Sequence, residues 1–211
     1  MKRLGFLGFL CTLAMLLAGP AAAHPYGPEY YSFRTVVDLD GADLRVTTTV
    51  EVPTMKVLEE YARRYGHLEE IGEEQDREFF QTMLQKLGDG LSVTLDGKPL
   101  EGAWAAADSP INGRADDRFF YYIVTFARPG AVPSAGGAIE VVNGCFPGVE
   151  AYYSGWIRPS TAWQVLETNL TGLGTAAQAE DVSEIKEAWS NEESLRNLSA
   201  TVAPAATGGG S

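Results

Sequence analysis

The chain has few of the residues that build covalent staples and metal centres: two cysteines and two histidines among 211 residues. One cysteine, Cys11, lies inside the leading apolar run and is preceded by Leu10, which argues against a lipid-anchor site. Once that segment is removed Cys145 stands alone, so no internal disulfide can form and the fold must be held by its core. A lone cysteine most often serves as a small buried hydrophobe. His24 and His67 without a cysteine pair cannot build an ordinary structural zinc site. Also missing are the nucleophile elbow, the phosphate-binding glycine loops, the paired-histidine zinc helix and the C-x-x-C pair. Basic residues are outnumbered, 16 against 28 acidic. Such a surface repels nucleic-acid phosphate and anionic lipid and favours cations or a basic partner. After the first twenty residues no apolar stretch reaches the roughly 20 residues a membrane helix needs.

What is present begins at the amino terminus. Lys2 and Arg3 precede an uncharged apolar run over residues 4–19, Pro20 breaks it, and Ala21-Ala22-Ala23 supplies small residues. This is the three-part pattern of a secretory signal, with cleavage expected after Ala23. Residues 1–23 are therefore expected to leave, followed by an extracytoplasmic (periplasmic or secreted) β-rich domain over residues 24–203 and a flexible tail over 204–211. Cleavage takes two of the basic residues and none of the acidic ones, leaving 14 against 28 and a formal charge of −14. Two Asn-x-Ser/Thr sequons, at Asn169 and Asn197, matter only in a eukaryotic secretory pathway.

Within the domain, Leu44, Val46, Thr48, Val50 and Val52 alternate with polar residues after an Asp40-Gly41 turn, a hairpin pattern. Asp38, Asp40 and Asp43 do not follow calcium-loop order. Thr54 is placed to cap a helix that Gly66 ends. A second helix is expected from about residue 68 to 87, acidic in its first half and apolar at Phe80, Met83, Leu84 and Leu87, closed by Gly88-Asp89-Gly90. Strands are then expected at 91–95, 119–126, 138–142, 162–170 and 195–202, with 105–117 a polar loop and 146–159 an aromatic, glycine- and proline-punctuated connection. The expected fold is mainly β, a sandwich-like single domain with a helical insertion at about 54–88, two helices between strands two and three.

Two groups of residues are candidates for function. Cleavage after Ala23 would give His24 a free α-amino group beside its imidazole, a bidentate nitrogen chelate suited to nickel, cobalt or copper; His67 is the second candidate ligand. The other group is aromatic: Tyr26, Tyr30, Tyr31, Tyr152, Tyr153 and Trp156. Such rings fill sandwich cores and also make recognition surfaces, so a protein- or glycan-binding module is the alternative reading. A histidine-brace copper monooxygenase is a remote third, since His67 is the sole histidine available to join His24.

A set of short motifs runs in order along the chain. They are His24-Pro25-x-Gly27, Glu51-Val52-Pro53-Thr54, Leu91-x-Val93-x-Leu95-Asp96-Gly97-Lys98-Pro99, Phe146-Pro147-Gly148, Ala188-Trp189-Ser190 and Leu195-Arg196-x-Leu198. Together, over about residues 24–203, they resemble the extracytoplasmic N-terminal domain of nickel/cobalt-type transporters of the hydrogenase- and urease-accessory class. The resemblance implies a non-enzymatic accessory role beside a membrane transporter, presenting or sensing a transition metal. Two departures stand out. Tyr65-Gly66-His67-Leu68-Glu69 replaces the Asp-rich stretch many relatives carry between the helices, and this chain stops at Gly-Gly-Gly-Ser where relatives continue into a membrane domain.

Overall fold

The computed structural model describes residues 29–66, 72–116, 118–170, 190 and 193–206. The alternating segment around Asp40-Gly41 forms the hairpin its pattern dictates: β1 (Tyr31–Asp40) pairs antiparallel with β2 (Asp43–Pro53), Asp40 facing Asp43. Gly41 takes φ +56°, the left-handed turn conformation open to glycine. Two helices follow, α1 (Thr54–Tyr65) and α2 (Glu73–Gly90). The chain then enters β3 (Leu91–Leu95), β4 (Lys98–Pro99), β5 (Trp104–Ala106), β6 (Phe119–Arg128), β7 (Gly137–Asn143), β8 (Ala151–Pro159) and β9 (Trp163–Thr168). A short 3₁₀ turn (Glu193–Arg196) leads into β10 (Leu198–Pro204).

These strands form two five-stranded sheets, ordered β5-β6-β2-β1-β8 and β4-β3-β7-β10-β9. The fold is thus mainly β with a helical insertion between β2 and β3. The inner face of the first sheet has two partners. One half, carrying Val37, Leu39, Leu44, Val46, Phe126 and Ile157, packs on the second sheet through Val93, Ile139, Val141, Ala200 and Val202. The other half, carrying Phe33, Val50, Val52, Tyr122 and Tyr153, reaches past the second sheet and is covered by Val57 and Tyr61 of α1 and Phe79, Met83 and Leu87 of α2. The helices therefore extend the sandwich, filling the space the shorter sheet leaves open.

Several local expectations are corrected. Thr54 does not cap α1: Pro53 holds the N-cap position, Thr54 is the first helical residue, and its N–H donates to the Arg118 carbonyl at 2.8 Å. The carbonyl just before β6 thus satisfies the first of the free N–H groups at the helix start. The second helix starts at Glu73, because the Gln75 side-chain oxygen accepts from the Gly72 N–H at 2.8 Å and closes the N-terminus there. Gly88-Asp89-Gly90 does not stop the helix, which runs through Gly90 straight into β3. These glycines serve close packing, since a Cβ on Gly90 would lie 2.7 Å from Cys145 Sγ. Residues 105 and 106, expected in a loop, belong with Trp104 to a strand paired with β6.

The largest correction is residues 151–159. They form β8, parallel to β1 from Tyr31↔Ala151 to Leu39↔Pro159. Gly155 interrupts the alternation where a Cβ would crowd the Leu198 and Leu170 methyls at 3.0 and 3.1 Å. The final strand starts later than expected, after the 3₁₀ turn. Both sequon asparagines are tied into the backbone. The Asn169 side chain accepts from Ser199 N–H (2.9 Å) and donates to the Asn197 carbonyl (2.6 Å), and Asn197 Oδ1 accepts from Asn143 N–H (3.0 Å).

Candidate docking cleft

Beyond the edge of the second sheet, the insertion leaves a cleft of about 380 Å³ between α1 and α2. Val52, Val57, Phe79 and Met83 make its floor, while Tyr31 and Phe146 close one end. Its rim is charged: Lys56, Glu59, Glu60 and Arg63 from α1, and Lys86 from α2. Lys56 bonds Glu59 at 3.1 Å and Arg63 bonds Glu60, each three residues apart on one helix face. Lys86 has no acidic partner among the described residues, so the rim presents a spare cation beside an apolar floor.

The aromatic end is built by segments far apart in sequence. Tyr31 opens β1, and its ring lies 5.2 Å from Phe146. Phe33, one step inward on the same strand face, stacks on Tyr153 at 5.7 Å and lies 6.3 Å from Phe146. Phe146 sits at φ +47°, a left-handed conformation that costs a side-chain-bearing residue roughly 1–2 kcal/mol. Arg196 holds it there. Its guanidinium donates to the carbonyls of Asn143 (2.7 Å), Cys145 and Phe146 (3.2 Å), and to Glu193 at 2.7 Å. Glu193 in turn accepts the Tyr153 hydroxyl at 3.2 Å. The motif segments around Phe146 and Arg196, fifty residues apart, therefore meet at one joint that props the wall of the cleft.

Ionisation here is quiet. Burial pushes the Tyr31 phenol up, with Glu60 and Glu59 adding to it. Burial also raises Tyr153, against the pull of Arg196. The Cys145 thiol, under Gly90 and donating to the Leu87 carbonyl at 3.5 Å, is pushed up to about 11 by burial. Glu193 is lowered by its bond to Arg196. Each of these shifts moves its group away from neutral pH, whereas acid–base catalysis wants a pKa near the working pH.

The aromatic candidates divide between the two faces of the first sheet. Tyr31 and Tyr153 lie on the inner face by the cleft. Tyr152 and Trp156 alternate onto the outer face, where Tyr30 meets Tyr152 edge-on at 5.5 Å. The Arg34 guanidinium lies 5.6 Å from the Trp156 ring centroid. Tyr153 and Trp156 are buried, and Tyr30, Tyr31 and Tyr152 are partly exposed. Tyr26, His24 and His67 lie outside the described residues, among which no three potential metal-ligating side chains cluster. Asp38 is committed to Arg158 through two bonds of 2.5 and 2.9 Å, and Asp43 accepts the Gly130 N–H at 2.8 Å.

No family model, curated protein or solved structure matches the chain. The functional reading therefore rests on the cleft itself. Residue order does not mark Lys86 and Met83 as a paired rim and floor. Helical periodicity marks Met83 as buried, but the gap beside it depends on how far the second sheet extends.

Among the described residues, no helix is long and apolar enough to cross a membrane.

Proposed function

We propose that this chain is an exported, non-enzymatic accessory domain that docks a partner protein through the α1–α2 cleft, with a membrane transporter as the partner the motif resemblance implies. The observation that carries the reading is the cleft: a concavity whose apolar floor, the buried Val52, Val57 and Met83, lies inside a charged rim. Its volume falls in the range of ligand pockets, which combine apolar walls with a few placed polar groups. Its shape suits a single aliphatic or aromatic anchor, with an acidic neighbour paired to Lys86. Panning the intact domain against a library of displayed twelve-residue peptides tests this. The expected result is an enriched motif of one large apolar residue beside an acid, with affinity falling at least tenfold in Phe146→Ala and severalfold in Lys86→Glu. Enrichment of no motif, or binding indifferent to both substitutions, contradicts it.

A second reading concerns the expected mature terminus. Tyr31 lines the cleft and is seven residues from His24, so an amino terminus at His24 is tethered within about 24 Å of it. That reach supports a metal-presenting role, in which the free amine and imidazole of His24 bind Ni(II), Co(II) or Cu(II). Titrating correctly cleaved protein with Ni(II) is expected to give one site, lost in His24→Ala and in protein carrying an extra amino-terminal residue. Equal binding in all three rules it out.

A further inference from the structure

On the opposite side of α2 from the cleft, the sandwich is open between its two sheets. The edge strand of the first sheet there is β5 and that of the second is β4, and a groove of about 750 Å³ runs between them and α2. Leu84, Leu91, Leu100 and Trp104 line its apolar part, with Gln81 and Gln85 along the helix side. Trp104 is fixed across the opening by its indole N–H, which donates to the Leu91 carbonyl at 3.1 Å.

The backbone of β5 is directional. Ala107 N–H donates to the Ile123 carbonyl at 2.9 Å, and the register continues Ala106↔Val124, Ala105↔Thr125 and Trp104↔Phe126. In an antiparallel ladder alternate residues bond the same neighbour. Ala105 therefore bonds β6, and the N–H and C=O groups of Trp104 and Ala106 point outward, with no backbone partner among the described residues. Three residues are too few to template edge-to-edge aggregation, yet they offer four aligned groups to an incoming strand. The surrounding charge is negative. Asp89 lines the groove and Glu101 stands between two lining residues; neither has a cationic partner among the described residues.

We infer that β5 and this groove form a β-augmentation site that takes an extended, cationic segment of a partner protein. The segment adds as a strand beside β5, sets alternate apolar side chains against Leu84, Leu100 and Trp104, and places its Lys or Arg side chains toward Asp89 and Glu101. Main-chain bonds supply affinity and alternate side-chain contacts supply selectivity in this mode of recognition. The site is separate from the α1–α2 cleft and does not depend on it.

The probe is a capped decapeptide of alternating Lys and Val, with a Glu–Val peptide and an alternately N-methylated Lys–Val peptide as comparisons. Binding is read by titration and by amide hydrogen exchange of the intact domain. The Lys–Val peptide is expected to slow exchange at Trp104 and Ala106 at least tenfold, while the other two leave it unchanged. Ala106→Pro removes an outward N–H without touching the bonds to β6 and is expected to weaken binding at least tenfold; Asp89→Lys is expected to weaken it severalfold. If Ala106→Pro fails to fold, the N-methylated peptide on the unaltered domain decides the same point. The inference is overturned if neither amide is protected, if the N-methylated peptide binds as well, or if the Glu–Val peptide binds equally. Phe146→Ala, which probes the cleft, is expected to leave this binding unchanged.

Discussion

Arg196→Ala is expected to lower the stability of the domain by about 3 kcal/mol, because hydrogen bonds from a charged donor contribute roughly 1.5–3 kcal/mol each and are not additive. The Arg196 side chain is 13% exposed and serves three backbone carbonyls besides Glu193. Truncation leaves those carbonyls short of a donor and releases the left-handed Phe146. For a domain of this size about 2–4 °C of Tm follows each kcal/mol, so thermal unfolding followed by circular dichroism is expected to shift down by roughly 6–12 °C. The loss is expected to persist in a Glu193→Gln background, since the three carbonyls still lack their donor. Arg196→Lys falls between, as an ammonium lacks the planar fork that spans several acceptors. A loss that disappears in the Glu193→Gln background would mean that Glu193, and not the carbonyls, is the partner that matters.

Gly136→Ala is expected to do at least as much damage by a different route. Gly136 has φ +86°, and a Cβ there would lie 2.1 Å from the Val202 carbonyl oxygen and 2.9 Å from Ala203 Cα. Neither is the yielding end of a side chain, so β10 must move away from the turn leading into β7. The expected cost is about 4 kcal/mol, in the range of severe backbone and packing mutations. Gly130→Ala is the matched control: φ is +65°, but nothing lies within 4 Å of the added carbon. Its cost is the left-handed conformation alone, about 1–2 kcal/mol. Urea unfolding of both variants separates collision from conformation, and equal losses would show that the contact with β10 is relaxed at no cost.

Much of the architecture is legible in residue order where one physical rule governs. The period-two pattern of β1 and β2 fixes their faces, and the i, i+3, i+4, i+7 spacing of Phe80, Met83, Leu84 and Leu87 marks α2. Strand β8 escapes because two rules collide there. Tyr153 and Ile157 face inward, Trp156 is buried on the other face, and Gly155 packs close to Leu198 and Leu170. No alternation survives. Strand β5 is three residues with two alanines, and only its pairing with β6 defines it.

The cleft is partly legible for related reasons. Tyr31 is conspicuous as an aromatic near the start of the domain, and Phe146 and Arg196 both fall in motifs that can be quoted from the sequence. What joins them cannot be read there, because Arg196 bonds backbone carbonyls, and every residue has one. Only the fold brings residues 143–146 to residue 196.

Docking of a protein in the α1–α2 cleft is read by a photocrosslinker placed at its mouth. Benzoylphenylalanine replaces Glu59 on the rim or, as a control, exposed Ser134 near the turn into β7. The full chain is irradiated in its native host. One prominent protein adduct is expected from position 59, absent from position 134 and lost in the Phe146→Ala background. No adduct from position 59, or the same adducts from both positions regardless of Phe146, would contradict it.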